Sequence, residues 1–153
     1  MTSPLRMLRT DASHPDFLAL VRLLDHELAE RDGAEHSFYA QYNTVTTIRQ
    51  AVVVYTGEIA VGCGAIKPIE TDAMEVKRMY VRADYRGQRI AEAVLTELEN
   101  WAQESGATRC VLETGKRQPE AIRLYERCGY LRTPNYGQYA GVENSVCFEK
   151  RFG

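Results

Sequence analysis

Val81-Arg82-Ala83-Asp84-Tyr85-Arg86-Gly87-Gln88-Arg89-Ile90-Ala91 is the stretch whose reading decides the fold. Before it, residues 73–82 (AMEVKRMYVR) alternate charged and apolar positions and turn apolar at Met79–Val81, which predicts a long strand. After it, Ile90, Ala91, Val94, Leu95, Leu98, Trp101 and Ala102 share one helical face, and Ser105-Gly106 ends the pattern, so a helix is predicted over 87–105. A strand thus runs through a tight, Gly-containing polar loop straight into an amphipathic helix. Backbone N–H groups at such a helix start are unpaired and sit at the positive end of the helix dipole, which suits a phosphate or pyrophosphate. Arg86 and Arg89 add cationic donors at the same place. The same residues also fit a plain helix start carrying surface arginines.

Working outward, residues 4–10 (PLRMLRT) read as an edge strand and Phe17, Leu20, Val21, Leu24 and Leu28 as the apolar stripe of a helix capped by Ser13 and ending near Asp32-Gly33. Residues 36–43 (HSFYAQYN) read as a second short helix. The runs 51–56 and 59–67, separated by Gly57-Glu58, predict a hairpin with a two-residue turn. Residues 109–114 predict a strand, 119–128 a helix opened by Pro119 and closed by Gly129, and 144–152 a last strand. Hairpins interspersed with helices predict an α+β fold: a mixed, mostly antiparallel sheet flanked by helices. With 153 residues and no linker, repeat or low-complexity tract, the chain is expected to form one domain over 1–153.

Composition narrows the function classes. The chain is 44% hydrophobic and 26% charged, as globular proteins are, and lacks an apolar run long enough to span a bilayer. Its first thirty residues include Asp11, Asp16, Asp25 and Glu27 and lack the pattern of a signal peptide, so a cytoplasmic location is expected. A net charge of −2 offers no basic field for nucleic acid or an anionic membrane. Fifteen arginines against four lysines still leave room for local anion sites.

Several familiar sites are missing. Cys63, Cys110, Cys128 and Cys147 form no CxxC pair, and His14, His26 and His36 have no zinc-site spacing with them, so no metal is expected and the cysteines read as buried, reduced residues. Gly62-Cys63-Gly64 is half of a dinucleotide fingerprint, but Lys67 stands where the third Gly belongs and the segment lies between strands. Neither a P-loop nor a GxSxG nucleophile motif occurs.

Residues from about 73 to 130 resemble the GNAT superfamily of acyl-CoA-dependent N-acetyltransferases. Arg86-Gly87-Gln88-Arg89-Ile90-Ala91 is similar to that family's pyrophosphate loop, [QR]-x-x-G-x-[GA], with Arg89 in place of the middle Gly. Gln118 to Tyr130 (QPEAIRLYERCGY) resembles its N-x-x-A-x-x-[LF]-Y-x-x-x-G-[FY] segment, with Gln118 in place of Asn. The two segments occur in the family's order and at its separation. The resemblance implies acetyl-CoA as co-substrate, bound by the backbone of Met79, Tyr80 and Val81, by Arg86 to Ala91 and by Gln118. It also implies direct transfer to an amine without an acyl-enzyme, and, since many members are dimers, a homodimer.

Acetyl transfer to an amine needs a neutral amine, stabilisation of the developing oxyanion and a proton for the departing thiolate. Tyr125 falls on the family's general-acid tyrosine, and a phenol titrating near ~10 is close enough to a thiol near ~8.5 to give it a proton. Glu75, eleven residues before Arg86, stands where some members place a catalytic glutamate; Glu113 is the reserve candidate for the base. Acceptor specificity is expected from residues 32–43 and from the 134–144 loop, with Tyr39, Tyr42, Tyr136, Tyr139, Glu143 and Asn144. The expected reaction is acetylation of a primary amine on a small molecule, such as an amino acid or polyamine. The alternative is a module that keeps the fold and binds CoA without turnover, with Arg89 as its main support.

Overall fold

Valine-rich, β-branched runs dictate the sheet. The computed structural model describes residues 4–32 and 48–153. Its strands are β1 Leu5–Thr10, β2 Gln50–Thr56, β3 Ile59–Glu70, β4 Ala73–Val81, β5 Arg109–Gly115, β6 Leu131–Thr133 and β7 Ser145–Arg151; its helices are α1 Pro15–Asp32, α2 Ile90–Glu104 and α3 Pro119–Arg127. The seven strands form one sheet in the order β1-β2-β3-β4-β5-β7-β6, in which only the β4–β5 pairing is parallel. The α+β reading and its mixed, mostly antiparallel sheet are therefore found.

Two apolar clusters cover the two faces. On one, Phe17, Leu20 and Val21 of α1 pack on Ala51, Val53, Cys63 and Ala65. On the other, Val94, Leu95 and Leu98 of α2 and Tyr125 of α3 pack on Val52, Val61, Val76, Leu112 and Phe148. Each such buried side chain contributes about 1.5–3 kcal/mol, so the layers fix the helices firmly. Cys63, Cys110 and Cys147 are buried and Cys128 half-buried, all four without a disulfide.

Local details depart from expectation in physically clear ways. Ser13 does not cap α1: its N–H and hydroxyl bond the Asp11 carboxylate at 2.8 and 2.6 Å, while His14 Nδ1 accepts the Asp16 N–H at 3.1 Å. The second long helix starts at Ile90 rather than 87, because Gly87 (φ 85°) and Arg89 (φ 63°) are left-handed and cannot continue a helix. β6, a three-residue strand on β7, begins with the exposed Leu131 and carries no alternation from which to predict it. The short helix expected at 36–43 lies outside the described residues.

Two features of β4 shape the site. Its parallel pairing with β5 stops early, joining only Ala73, Met74 and Glu75 to Arg109, Cys110 and Val111. Beyond Glu75 the strands part. On the other side, register with β3 slips: Cys63 opposes Tyr80 but Ala65 opposes Lys77, so Gly64 faces both Arg78 and Met79. This is a β-bulge, and Arg78 takes its left-handed conformation, φ 59°. The bulge reverses the alternation. Val76, Met79 and Val81 face α2 and α3, whereas Tyr80 packs on the α1 cluster and Arg78 forms an ion pair with Asp25 of α1.

Gly64 is required by close approach rather than by φ. A Cβ there would lie 2.6 Å from Met79 Sδ, 2.7 Å from Leu98 Cδ1 and 3.0 Å from Val94 Cγ1. Gly64→Ala is expected to destabilise the fold by about 1–3 kcal/mol, read as a lower Tm; an unchanged Tm would show that α2 is not seated against β3 as described.

Candidate active site

The parting of β4 from β5 opens a passage through the sheet with a cavity at each end. The larger, about 840 Å³, lies between β4, the loop before α2 and α3. It is lined by Met79, Tyr80, Val81, Arg86, Gly87, Arg89, Ile90, Ala91 and Gln118, which are all the expected cofactor residues except Gln88, an exposed loop residue. The smaller, about 110 Å³, reaches toward α1 and is lined by Leu24, Leu28, Glu75, Lys77, Arg78, Glu113 and Tyr139, among others. Leu24, Met79, Gln118, Ala121 and Tyr125 line both.

The loop builds an anion site from its backbone. Left-handed Gly87 and Arg89 turn the chain into α2, and no side chain caps the helix at Arg89. Its first N–H groups therefore have the polarity and the vacancy for a phosphate. Arg86 braces the loop: its Nε donates to the Val81 carbonyl at 2.9 Å, its Nη2 pairs with Glu27 of α1 at 3.0 Å, and the guanidinium lies 5.5 Å over the Tyr80 ring. Arg127 is paired with Glu92 at 3.2 Å, so the uncapped helix start and Arg89 are what fit the larger cavity to a phosphorylated ligand. The unpaired edge of β4 supplies further N–H and C=O groups to an extended ligand lying along it.

Tyr125 stands at the junction of the two cavities. It is 6% exposed, held between Tyr130 (ring centroids 5.9 Å apart) and Phe148 (6.2 Å), and no described residue hydrogen-bonds its hydroxyl. Tyr130 is itself anchored, donating to Glu99 Oε2 at 2.9 Å, while Lys150 pairs with Glu99 Oε1 at 3.0 Å. Burial pushes the Tyr125 phenol well above its ordinary value, with Cys128 and Glu113 adding smaller contributions.

Glu75 is 2% exposed, not a surface charge on an alternating strand. Tyr136 donates to its Oε2 at 2.5 Å, and Lys77 Nζ lies 3.5 Å from its Oε1. Burial pushes the Lys77 ammonium below its ordinary value, opposed mainly by Glu75, and pushes the Tyr136 phenol up. Glu113, the reserve candidate, accepts the Ser145 hydroxyl at 2.7 Å on the adjacent strand. Tyr139 is buried and meets Tyr136 edge-on at 5.7 Å, so the 134–144 loop does contribute to the smaller cavity. Tyr39 and Tyr42 lie outside the described residues.

Sequence reasoning named Tyr136 for the acceptor loop but missed its contact with Glu75, and it missed Lys77 and Arg78. Tyr136 reaches Glu75 across 61 residues, a separation that leaves no local signal. Lys77 and Arg78 are adjacent charges where the alternation of β4 slips phase, and the bulge brings both to the α1 side.

Among the described residues, no cluster of His, Cys, Asp or Glu could hold a metal ion, and no helix is long and apolar enough to cross a membrane.

Known proteins share this arrangement. Residues 12–130 match the Acetyltransferase (GNAT) family. The chain is 34% identical over 135 residues to an IAA acetyltransferase of Azospirillum brasilense, covering 86% of this chain and 87% of that protein. It is 40% identical over 82 residues to the uncharacterized N-acetyltransferase YjgM of Escherichia coli, covering 52% of this chain and 48% of the other. A Klebsiella pneumoniae structure described as an acyl-CoA N-acyltransferase superposes with a TM-score of 0.80 at 28% identity, over 96% of this chain and 97% of that one. The PaiA N-acetyltransferase of Thermoplasma acidophilum, solved with coenzyme A, shares the fold at a TM-score of 0.72 and 15% identity, over 97% and 99% of the two chains. The chain belongs to the GNAT family and is an acetyl-CoA-dependent acyltransferase.

Proposed function

We propose that the protein transfers an acetyl group from acetyl-CoA directly to the primary amine of a small molecule, both bound at once, within a single domain spanning 1–153. The observation that carries the reading is the place of Tyr125, at the point where the larger cavity meets the smaller. The donor enters along the open edge of β4 with its pyrophosphate at the loop Arg86 to Ala91, and the acceptor waits on the α1 side. Glu75 takes the amine proton through water, the amine nitrogen bonds the thioester carbon, and the carbon–sulfur bond breaks. The departing sulfur receives its proton from Tyr125.

Burial argues for this division of labour. A raised phenol keeps its proton throughout the neutral range, ready to donate. A thiolate released into the same dry passage is destabilised by the same desolvation, which narrows the gap between donor and acceptor. Cysteine is unsuited to carry the acetyl group: burial pushes the Cys63 and Cys110 thiols up to about 12 and Cys147 to about 11, and raises Cys128 as well. None is a thiolate nucleophile at neutral pH, in keeping with direct transfer.

Arg89 takes the left-handed conformation that the family's Gly would adopt freely, at a cost of about 1 kcal/mol. Its guanidinium lines the larger cavity, and a contact with a CoA phosphate would offset that strain.

The first test is thermal unfolding with acetyl-CoA and with free CoA. At a hundredfold excess over Kd, binding adds about 2.7 kcal/mol, a rise of several degrees; no rise would remove the donor site from the reading. Tyr125→Phe preserves the ring packing and is expected to lower kcat by about 10²–10⁴ with acetyl-CoA affinity within a few-fold; undiminished turnover across an amine panel would discard the acid role. Since deprotonation disables an acid and burial moves that event upward, no alkaline fall in kcat is expected below pH ~10. Arg89→Gly is expected to weaken acetyl-CoA binding despite relieving strain. An unchanged or tighter Kd would refute the phosphate contact.

A further inference from the structure

Arg78 is a buried cation tied to the fold by an ion pair with Asp25 of α1. Its side chain is 1% exposed, and an apolar side chain of similar size would occupy the same volume without the cost of burying a charge. The bulge that carries it turns its guanidinium onto the α1 side of β4, where Nη2 pairs with Asp25, a carboxylate that is itself half exposed. Its Nε is buried with no hydrogen-bond partner, the one such side-chain atom among the described residues. A planar fork of N–H donors built for bidentate contact with a carboxylate is thus only partly used.

Its neighbours give the vacancy a meaning. Arg78 and Lys77 line the smaller cavity together with Glu75 and Glu113, so two cations and two carboxylates face one small space. Such a lining is matched by a ligand carrying both charges, with its amine toward the carboxylates and Tyr125 and its own carboxylate toward the cations. A polyamine would leave the arginine unanswered.

Resting on the acetyl-acceptor reading of this cavity, we propose that the acceptor is an aminocarboxylate, an amino acid or a similarly short molecule, whose carboxylate is bound by Arg78. Arg78 is then a specificity residue: it selects the acceptor and takes no part in proton transfer.

The test uses matched triads of L-alanine, L-leucine, L-phenylalanine, L-glutamate and L-lysine, each beside its α-amide and its decarboxylated amine, with thiol release as readout. For the acid preferred in each productive triad, kcat/KM is expected to exceed that of the amide by about 10- to 100-fold, the worth of a charged hydrogen-bonded contact. Arg78→Met is expected to raise KM for the acid until the ratio approaches one, leaving the slow amide rate and the acetyl-CoA thermal shift in place; Arg78→Lys restores part of the preference. If Arg78→Met does not fold, Asp25→Asn decides. Releasing the guanidinium from its partner is expected to lower KM for the acid several-fold without changing KM for the amide, whereas a purely structural ion pair would alter only Tm. Amides or amines acetylated as well as acids, a ratio indifferent to Arg78, or a KM indifferent to Asp25 would each overturn the inference. Turnover of no triad member, with the acetyl-CoA shift intact, also overturns it and spares the donor site. Absence of that shift strikes the acetyltransfer reading itself.

Discussion

Everything functional in this molecule follows from a strand that loses its neighbour. β4 is hydrogen-bonded to β5 through only three residues, Ala73 to Glu75, and then runs on to Val81 with that edge open. Buried backbone N–H and C=O groups need partners, so an open edge in mid-sheet is a standing invitation to an extended ligand. The molecule answers part of the demand itself, with Arg86 Nε bonding the Val81 carbonyl. The rest of that stretch lines the two cavities, Val76 to Arg78 the smaller and Tyr80 and Val81 the larger. A sheet closed along β4 and β5 would be more conventional and would have no passage for two substrates to meet.

The bulge opposite that edge does the complementary work. With the register slipped at Gly64, one strand offers Val81 to the larger cavity, Lys77 and Arg78 to the smaller, and Met79 to both. Gly64 makes room for Met79 and α2 at the same point. Strain accompanies both devices: Arg78 and Arg89 are the only non-glycine residues with positive φ among those described, and they line the smaller and the larger cavity respectively. Each holds conformational strain beside a cavity, as residues at ligand sites do.

Much of this was legible in the chain, and the limits are instructive. The strand–loop–helix of residues 73–104 could be read because period-two and period-3.6 patterns meet at a Gly-containing loop. The burial of Cys63, Cys110 and Cys147 followed from their strands. Tyr125 could be singled out because helix spacing, Pro119 and Gly129 fix its place. The bulge left one trace, the adjacent charges Lys77 and Arg78 where the alternation slips phase, but its place opposite Gly64 is set by the pairing with β3. The Tyr136–Glu75 contact could not be read, since it depends on a loop closing across the sheet. The capping of α1 turned on one side chain: Asp11 draws Ser13 away, and His14 takes the role.

Overall charge concealed the site altogether. A net charge of −2 offers no basic field, yet Arg86, Arg89 and Arg127 gather around one cavity beside Glu27, Glu92 and Glu120, and Lys77 and Arg78 line another with Glu75 and Glu113. What binds a ligand is the local field in a cleft with low-dielectric walls, where opposite charges a few ångströms apart interact several times more strongly than in water. The uncapped helix start and Arg89 at the larger cavity suit a polyphosphate; the mixed lining of the smaller suits a partner of both signs. Tyr125 lines both cavities, packed by Tyr130 and Phe148. That order suits the proposed transfer: charges at the ends would hold the two reactants, and a buried phenol would keep its proton until the sulfur departs.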